Sequence, residues 1–219
     1  MAERTIEDRL REEYFDLLPT IRKVAEQLEA EVKFHVLPIS RKLDKHERLV
    51  VTSRIKDCDS ALESLQRRQM GKIFNRDTPD LYSLLNLRDL AGVRVLAFPP
   101  SQLLAIASHL RGHFPDWQSD HILDEDGTTL AYKYYGYCNA SSNQVCSEYQ
   151  VTSILTGRFW EVEHSAIYKP SPELRGIARS LEMKERTAEV YKALRDFEGE
   201  FERLLHEDGF KRLLKGDQA

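Results

Sequence analysis

Four short segments of the chain carry side chains able to do chemistry: Arg54-Ile55-Lys56, Asp89-Leu90-Ala91-Gly92-Val93-Arg94, Glu148-Tyr149-Gln150 and Trp160-Glu161-Val162-Glu163-His164. Arg54 and Lys56 are two residues apart, so on an extended strand they share one face. Such a pair cannot face a dry core without partners; it faces solvent or a polyanion. Arginine suits bidentate phosphate contact, and lysine adds a point charge. Asp89 precedes a strongly apolar run, which puts its carboxylate near a sheet rim, with capping of its own turn as the competing role. Glu148 lies in a β-rich run, where an inward glutamate needs a cation or a metal. On adjacent strands Asp89 and Glu148 would offer hard oxygens to Mg²⁺, completed by phosphate and water; direct pairing of Glu148 with Arg54 or Lys56 is the alternative. Arg94 is placed to pair with a carboxylate or a phosphate. Together these are the parts needed to hold a nucleoside triphosphate on magnesium.

Other residues add to this set. Tyr132, Tyr134, Tyr135 and Tyr137 put rings on both faces of one strand, one face for the core and one able to stack on a base. Trp160 and His164, one helical turn apart, read as core packing and buried hydrogen bonding, and Glu163 joins a site if it turns toward the sheet. The chain has no phosphate loop of the G-x-x-x-x-G-K-[ST] type, no G-x-G-x-x-G, no G-x-S-x-G and no His-Asp dipeptide.

The elements that must position these groups follow from periodicity. Residues 3–35 read as helix from Ile6, Leu10, Leu17, Ile21, Val24, Leu28 and Val32 at three- and four-residue steps, with a second short helix over 38–46. Residues 49–56 read as a strand, and a helix to residue 68 opens with a Ser60–Glu63 capping box. Residues 71–86 read as irregular or helical, and 92–98 as a strand. A helix follows Pro99-Pro100-Ser101, with Leu103, Leu104, Ile106, Ala107 and Leu110 on its apolar side. Residues 115–120 read as a loop and 124–127 as a turn. Strands over 128–138 and 144–153 form a hairpin. Residues 155–168 are helical, with Trp160, His164 and Ile167 on one stripe, and 173–214 form a long helical stretch. The implied architecture is α+β: a mixed sheet of about four or five strands flanked by long N- and C-terminal helices. It reads as a single domain over 1–219, with N-terminal helices to 47, an α+β core over 48–169 and C-terminal helices from 170.

Composition narrows the class. Hydrophobic residues make up 41% and charged residues 31% of 219, which suits a soluble, helix-rich chain. A net charge of -4 provides no global basic field for long nucleic acid, so a polyanion must be met by a local cluster. No apolar run approaches the roughly 20 residues that span a bilayer, and the N-terminus is charged and amphipathic. Cys58, Cys138 and Cys146 lack metal-ligand spacing, and their odd number argues against a disulfide framework, although Cys138 and Cys146 can face each other across the hairpin. The reducing cytoplasm is the compartment these features imply.

In this order and spacing the segments resemble the RelA/SpoT family of guanosine polyphosphate (alarmone) synthetases, over roughly residues 20–170. The family's R-x-K strand and following serine look like Arg54, Lys56 and Ser60. Its D-L-x-G-x-R strand looks like residues 89–94, and its E-x-Q strand like Glu148-Tyr149-Gln150. Its W-x-x-x-E-H helix and tyrosine-lysine pair look like Trp160, Glu163-His164 and Tyr168-Lys169. The resemblance implies a nucleotidyltransferase-type synthetase fold and GTP pyrophosphokinase activity, moving pyrophosphate from ATP to the 3′-hydroxyl of GTP or GDP in the guanosine tetraphosphate metabolism of the stringent response. It implies Arg54, Lys56, Glu148 and Gln150 as catalytic residues, and Arg54, Lys56, Arg94 and Tyr137 as nucleotide contacts, with Tyr137 stacked on guanine. It also implies Mg²⁺ on Asp89 and Glu148. Its partners are ATP and a guanine nucleotide; it admits a homo-oligomer and implies neither a membrane nor long nucleic acid.

The departures lie on the acceptor side. Gly136-Tyr137 is kept, but Asn139 and Ser141 stand where the family has Ser and His. Residues 151–153 read Val-Thr-Ser, without the arginine of E-x-Q-x-R-T, and Ser64 replaces a first-helix lysine. Another nucleotide or the 3′ end of a tRNA is therefore an alternative acceptor, and a nucleotide-binding module without turnover an alternative function.

Overall fold

A computed structural model of the chain describes residues 5–68, 81–123, 127–138, 144–168, 172–178 and 180–216. Helix α1 (Ile6–Ser40) opens on a capping box in which Thr5 and Asp8 satisfy each other's backbone N–H groups, both at 3.1 Å. Pro38 does not begin a second helix: α1 runs through Pro19 and Pro38 to Ser40, with Arg41 as its C-cap. Its stripe of Ile21, Val24, Leu28, Val32 and Val36 stays buried along the whole length, and that burial outweighs the local cost of proline.

Strand β1 (Arg48–Ile55) leads into α2 (Cys58–Arg68). That helix is capped three residues earlier than the Ser60–Glu63 pattern suggests, because the Ser60 N–H donates to Asp57 Oδ1 at 2.8 Å. Residues 71–80 lie outside the described residues, and a single 3₁₀ turn occupies Leu84–Asn86. Then come β2 (Ala91–Phe98), α3 (Leu103–His113), the two-residue strands β3 (Gln118–Ser119) and β4 (Ile122–Leu123), β5 (Thr129–Gly136) and β6 (Ser147–Ser153). Part of the expected loop at 115–120 is thus strand, and on α3 Leu104 points to solvent, 60% exposed. Helix α4 (Ile154–Glu163) continues into a π-helical turn, His164–Tyr168. The C-terminal stretch divides into α5 (Arg175–Ala178) and α6 (Leu181–Gly216). Of the expected turn at 124–127, Gly127 is described and has a positive φ of 83°, while residues 124–126 and the hairpin connection 139–143 lie outside the described residues.

The expected α+β architecture is present, with six strands among the described residues in the order β1-β2-β6-β5-β3, and β4 paired to β5. β1 and β2 are antiparallel, β2 and β6 parallel, and β6 and β5 form the antiparallel hairpin. One face carries Val93, Val95, Tyr149, Val151 and Tyr134, buried beneath α1 and α3. By alternation the other face carries Arg54, Arg94, Glu148, Gln150 and Lys133. Helix α4 covers only part of that second face. It descends onto β2 at Gly157, where an added Cβ would lie 2.4 Å from Leu96 Cδ2. The half holding residues 92–94 and 148–150 is left as the floor of a cleft. Among the described residues no helix is long and apolar enough to cross a membrane.

Candidate active site

Register assembles the cleft floor. Arg54 on β1 is opposite Gly92 on β2, Gly92 is opposite Glu148 on β6, and Glu148 is opposite Tyr135 on β5. In the next row with side chains on this face, Arg94, Gln150 and Lys133 stand side by side. Gly92 lets the guanidinium of Arg54 cross β2: an added Cβ would touch Arg54 Nε and Glu148 Cγ, each at 3.4 Å. Arg54 donates from its NH2 to Glu148 Oε1 at 2.8 Å, and Gln150 Nε2 donates to the same oxygen at 2.9 Å. Arg94 Nε donates to Gln150 Oε1 at 3.3 Å, and Arg94 lies 3.5 Å from Glu161. Lys133 Nζ stands 3.5 Å from Glu148 Oε2. Glu148 is therefore paired from both sides, and at 1% exposure it belongs to the interior, not the rim.

Lys56, just beyond β1, bonds to Asp89 and donates to Ser64 Oγ at 3.0 Å. Arg68, at the end of α2, stands 3.6 Å from the other Asp89 oxygen. Burial pushes the Asp89 carboxyl up, but Lys56, then Arg68 and Arg54, outweigh it and hold Asp89 below its ordinary value. For Lys56 burial wins over the pull of Asp89, and its ammonium sits below the usual lysine value. Burial also works against Lys133, yet Glu148 and then Tyr135 hold it above that value.

Two carboxylate oxygens on this floor, Asp89 Oδ1 and Glu148 Oε2, are buried without a hydrogen-bond partner. That is a donor set for a hard cation. No group of three or more His, Cys, Asp or Glu that could hold a metal ion occurs among the described residues. The protein by itself thus offers two oxygens, not a full cage.

The cleft encloses about 830 Å³, in the range of small-molecule sites. Six basic side chains line it (Arg54, Lys56, Arg67, Arg68, Arg94 and Lys133) against Asp57, Asp89 and Glu163. In a chain of net charge -4, the cleft is thus a local cluster of positive charge. Trp160, Glu163 and His164 form the opposite wall. Trp160 and His164 are therefore wall residues and not core, because α4 presents that stripe to the cleft while it packs on β2 through Gly157. Tyr191 on α6 donates to Glu163 from behind.

The structure brings Arg54, Lys56, Asp89, Arg94, Glu148 and Gln150 together in one place. Tyr137 stands apart: 49% exposed, it lines a second cavity of about 580 Å³ with Arg88, Trp117 and Cys138. Asn139, Ser141 and Lys169 lie outside the described residues. The thiols of Cys138 and Cys146 are free. Lys133 and Arg68 went unnoticed in the sequence. The signal for Lys133 was its two-residue spacing from Tyr135, but only the β5–β6 register shows that this face looks onto Glu148.

This geometry lies on a fold with solved counterparts. A GTP pyrophosphokinase family protein from Streptococcus pneumoniae matches with TM-score 0.65 and 17% identity, over 92% of this chain and 97% of that one. The small alarmone synthetase 1 from Bacillus subtilis matches with TM-score 0.64 and 20% identity, over 90% and 97%. The chain has the small alarmone synthetase fold. The Bacillus subtilis protein also matches when bound to AMPCPP, with TM-score 0.62, 18% identity and coverage of 90% and 98%. Bound to its product pppGpp it matches with TM-score 0.59, 18% identity and coverage of 88% and 96%. No protein-family model and no curated protein matches the sequence. At these identities the alarmone synthetase likeness is one of backbone architecture.

Proposed function

We propose that the chain is a magnesium-dependent pyrophosphokinase that moves the β,γ-pyrophosphate of ATP to the 3′-hydroxyl of GTP or GDP. The observation that carries this reading is the cleft floor, where Arg54 and Lys56 flank the buried Glu148 and Asp89 on the alarmone synthetase fold. The Bacillus subtilis protein of that fold, bound to AMPCPP and to pppGpp, supports an ATP donor and a guanine acceptor.

The chemistry needs charge placement more than covalent catalysis. Arg54 and Lys56, with Arg68 behind Asp89, bind the donor's phosphates. The acceptor 3′-oxygen attacks the β-phosphorus, the bond from that phosphorus to the α–β bridging oxygen breaks, and AMP leaves with that oxygen. The hydroxyl proton passes to Glu148. Gln150 holds Glu148 in orientation, and Arg94 holds Gln150. Asp89 and Glu148 would hold Mg²⁺, which when bound would supply further neutralisation of phosphate charge. The substrates are those of the cytoplasm.

Incubation with Mg-ATP and GTP, GDP or deacylated tRNA tests this. Anion-exchange chromatography is expected to show AMP release and a guanine nucleotide that gains two phosphates. Transfer to tRNA alone reassigns the acceptor, and no AMP release with any acceptor overturns the reading.

A further inference from the structure

Glu163 is the acidic residue of the cleft to which the chemistry proposed above gives no part. The other two carboxylates that line the cleft are engaged by the protein: Asp57 accepts from the Ser60 N–H at the start of α2, and Asp89 meets Lys56 and Arg68. Glu163 faces an opening lined by six basic side chains, yet its hydrogen-bond partner is a neutral phenol, Tyr191 of α6, which donates to Oε2.

Tyr191 is well placed to hold that contact. Its ring meets Phe159 edge-on, with centroids 4.8 Å apart and planes at 83°. Phe159 and Glu163 are four residues apart, so they share one side of α4, and Tyr191 meets both. Burial, and then Glu163 itself, push the Tyr191 hydroxyl above its ordinary value, so it stays protonated and donates at working pH. The first half of α4 is fixed on β2 at Gly157, and Tyr191 fixes its last turn, directly before the π-helical turn His164–Tyr168.

With Oε2 committed to Tyr191, Oε1 is left for a ligand. An ionised carboxylate only accepts hydrogen bonds, so it repels a phosphate and takes an N–H or O–H group. The phosphates of a nucleotide are drawn to the cations of the floor. The wall is then left to the nucleoside, whose ribose hydroxyls and base N–H groups are donors. We infer that Tyr191 is a positioning residue: from α6, outside the cleft lining, it orients Glu163 to accept a hydrogen bond from the ribose or base of a bound nucleotide. This inference rests on the proposed nucleotide chemistry, but its test reads binding and needs no turnover.

The test is a double-mutant cycle read by calorimetry. AMPCPP and GTP are each titrated, with Mg²⁺ present, into the wild type, Tyr191→Phe, Glu163→Gln and the double variant, and a thermal melt accompanies each protein. Tyr191→Phe keeps the ring on Phe159 and removes one hydroxyl. It is expected to stay folded and to weaken at least one of the two nucleotides about five- to tenfold. Glu163→Gln should weaken the same nucleotide by at least as much. The double variant should bind no more weakly than Glu163→Gln, because the hydroxyl acts only through the carboxylate. Additive losses, losses on different nucleotides, unchanged affinities in Tyr191→Phe, a Tyr191→Phe protein that does not fold or a wild type that binds neither nucleotide overturns the inference. A wild type that binds nucleotide but releases no AMP removes the transferase reading alone, and the cycle still decides the role of Tyr191.

Discussion

At Glu148 a fully buried carboxylate receives Arg54 on one side and Lys133 on the other, with Gln150 beside it. A charge there is tolerable only because it is paired, so Glu148 serves structure as well as chemistry. Glu148→Gln keeps the shape but removes the charge and the proton acceptor. It is expected to lower transfer at least ~100-fold while the protein stays folded. Glu148→Ala also strands two cations, and it should cost on the order of 1–3 kcal/mol; the cost falls short of that for a fully buried pair because the Arg54 side chain is 36% exposed. Chromatographic assay together with urea unfolding separates the two effects. Full turnover in Glu148→Gln would remove Glu148 from the chemistry. The residue types at positions 54, 56, 89, 148 and 150 were legible in the sequence. Lys133 was not, because a lysine in a tyrosine-rich strand has no meaning until its strand neighbour is known.

Helix α4 decides how much of the sheet face stays open. Its contact with β2 depends on a glycine over Leu96, a residue with no solvent exposure. Gly157→Ala would push a methyl group into Leu96 and within 3.2 Å of Thr152 Cγ2. In a packed interior that should cost about 1–3 kcal/mol and displace Trp160 and Glu163 from the cleft wall. A thermal melt is expected to show a fall of several degrees, with a rise in the KM for ATP. An unchanged melting temperature would show that Leu96 can yield. The strands and long helices were readable from periodicity, but the face that α4 presents was not. Trp160 and His164 on one stripe fit a core as well as a cleft wall, and the closeness of Gly157 to β2 selects the wall.

Across the whole molecule, α6 closes over the end of the sheet through α4 and the turn before α3. Within that contact Glu198 is 3% exposed, and its Oε1 has no hydrogen-bond partner. Burial pushes its carboxyl from 4.5 up to about 7, against the pull of a hydrogen bond from Ser153. The unfolded chain releases this proton near 4.5, while the folded chain keeps it to about 7. Between those values the native state binds more protons, so stability falls as pH rises through the window and then levels off. Glu198→Gln should therefore raise the melting temperature relative to wild type at pH 8, with the difference fading by pH 5. An equal difference at both pH values would mean that Glu198 does not hold a proton in the fold.

The sequence by itself determined the alternation of helix and strand and the identity of the charged residues that strands can place on one face. Periodicity and charge are local properties of the chain. Tertiary structure alone decided the pairing order β1-β2-β6-β5, and with it which charges meet. Arg54 and Glu148 are 94 residues apart and touch only because a parallel strand pair, with a glycine at the crossing, brings them together. The same register puts Lys133 on the far side of Glu148 and leaves Tyr137 at a separate cavity, since a position's neighbours across a sheet depend on strand order, which no local pattern encodes.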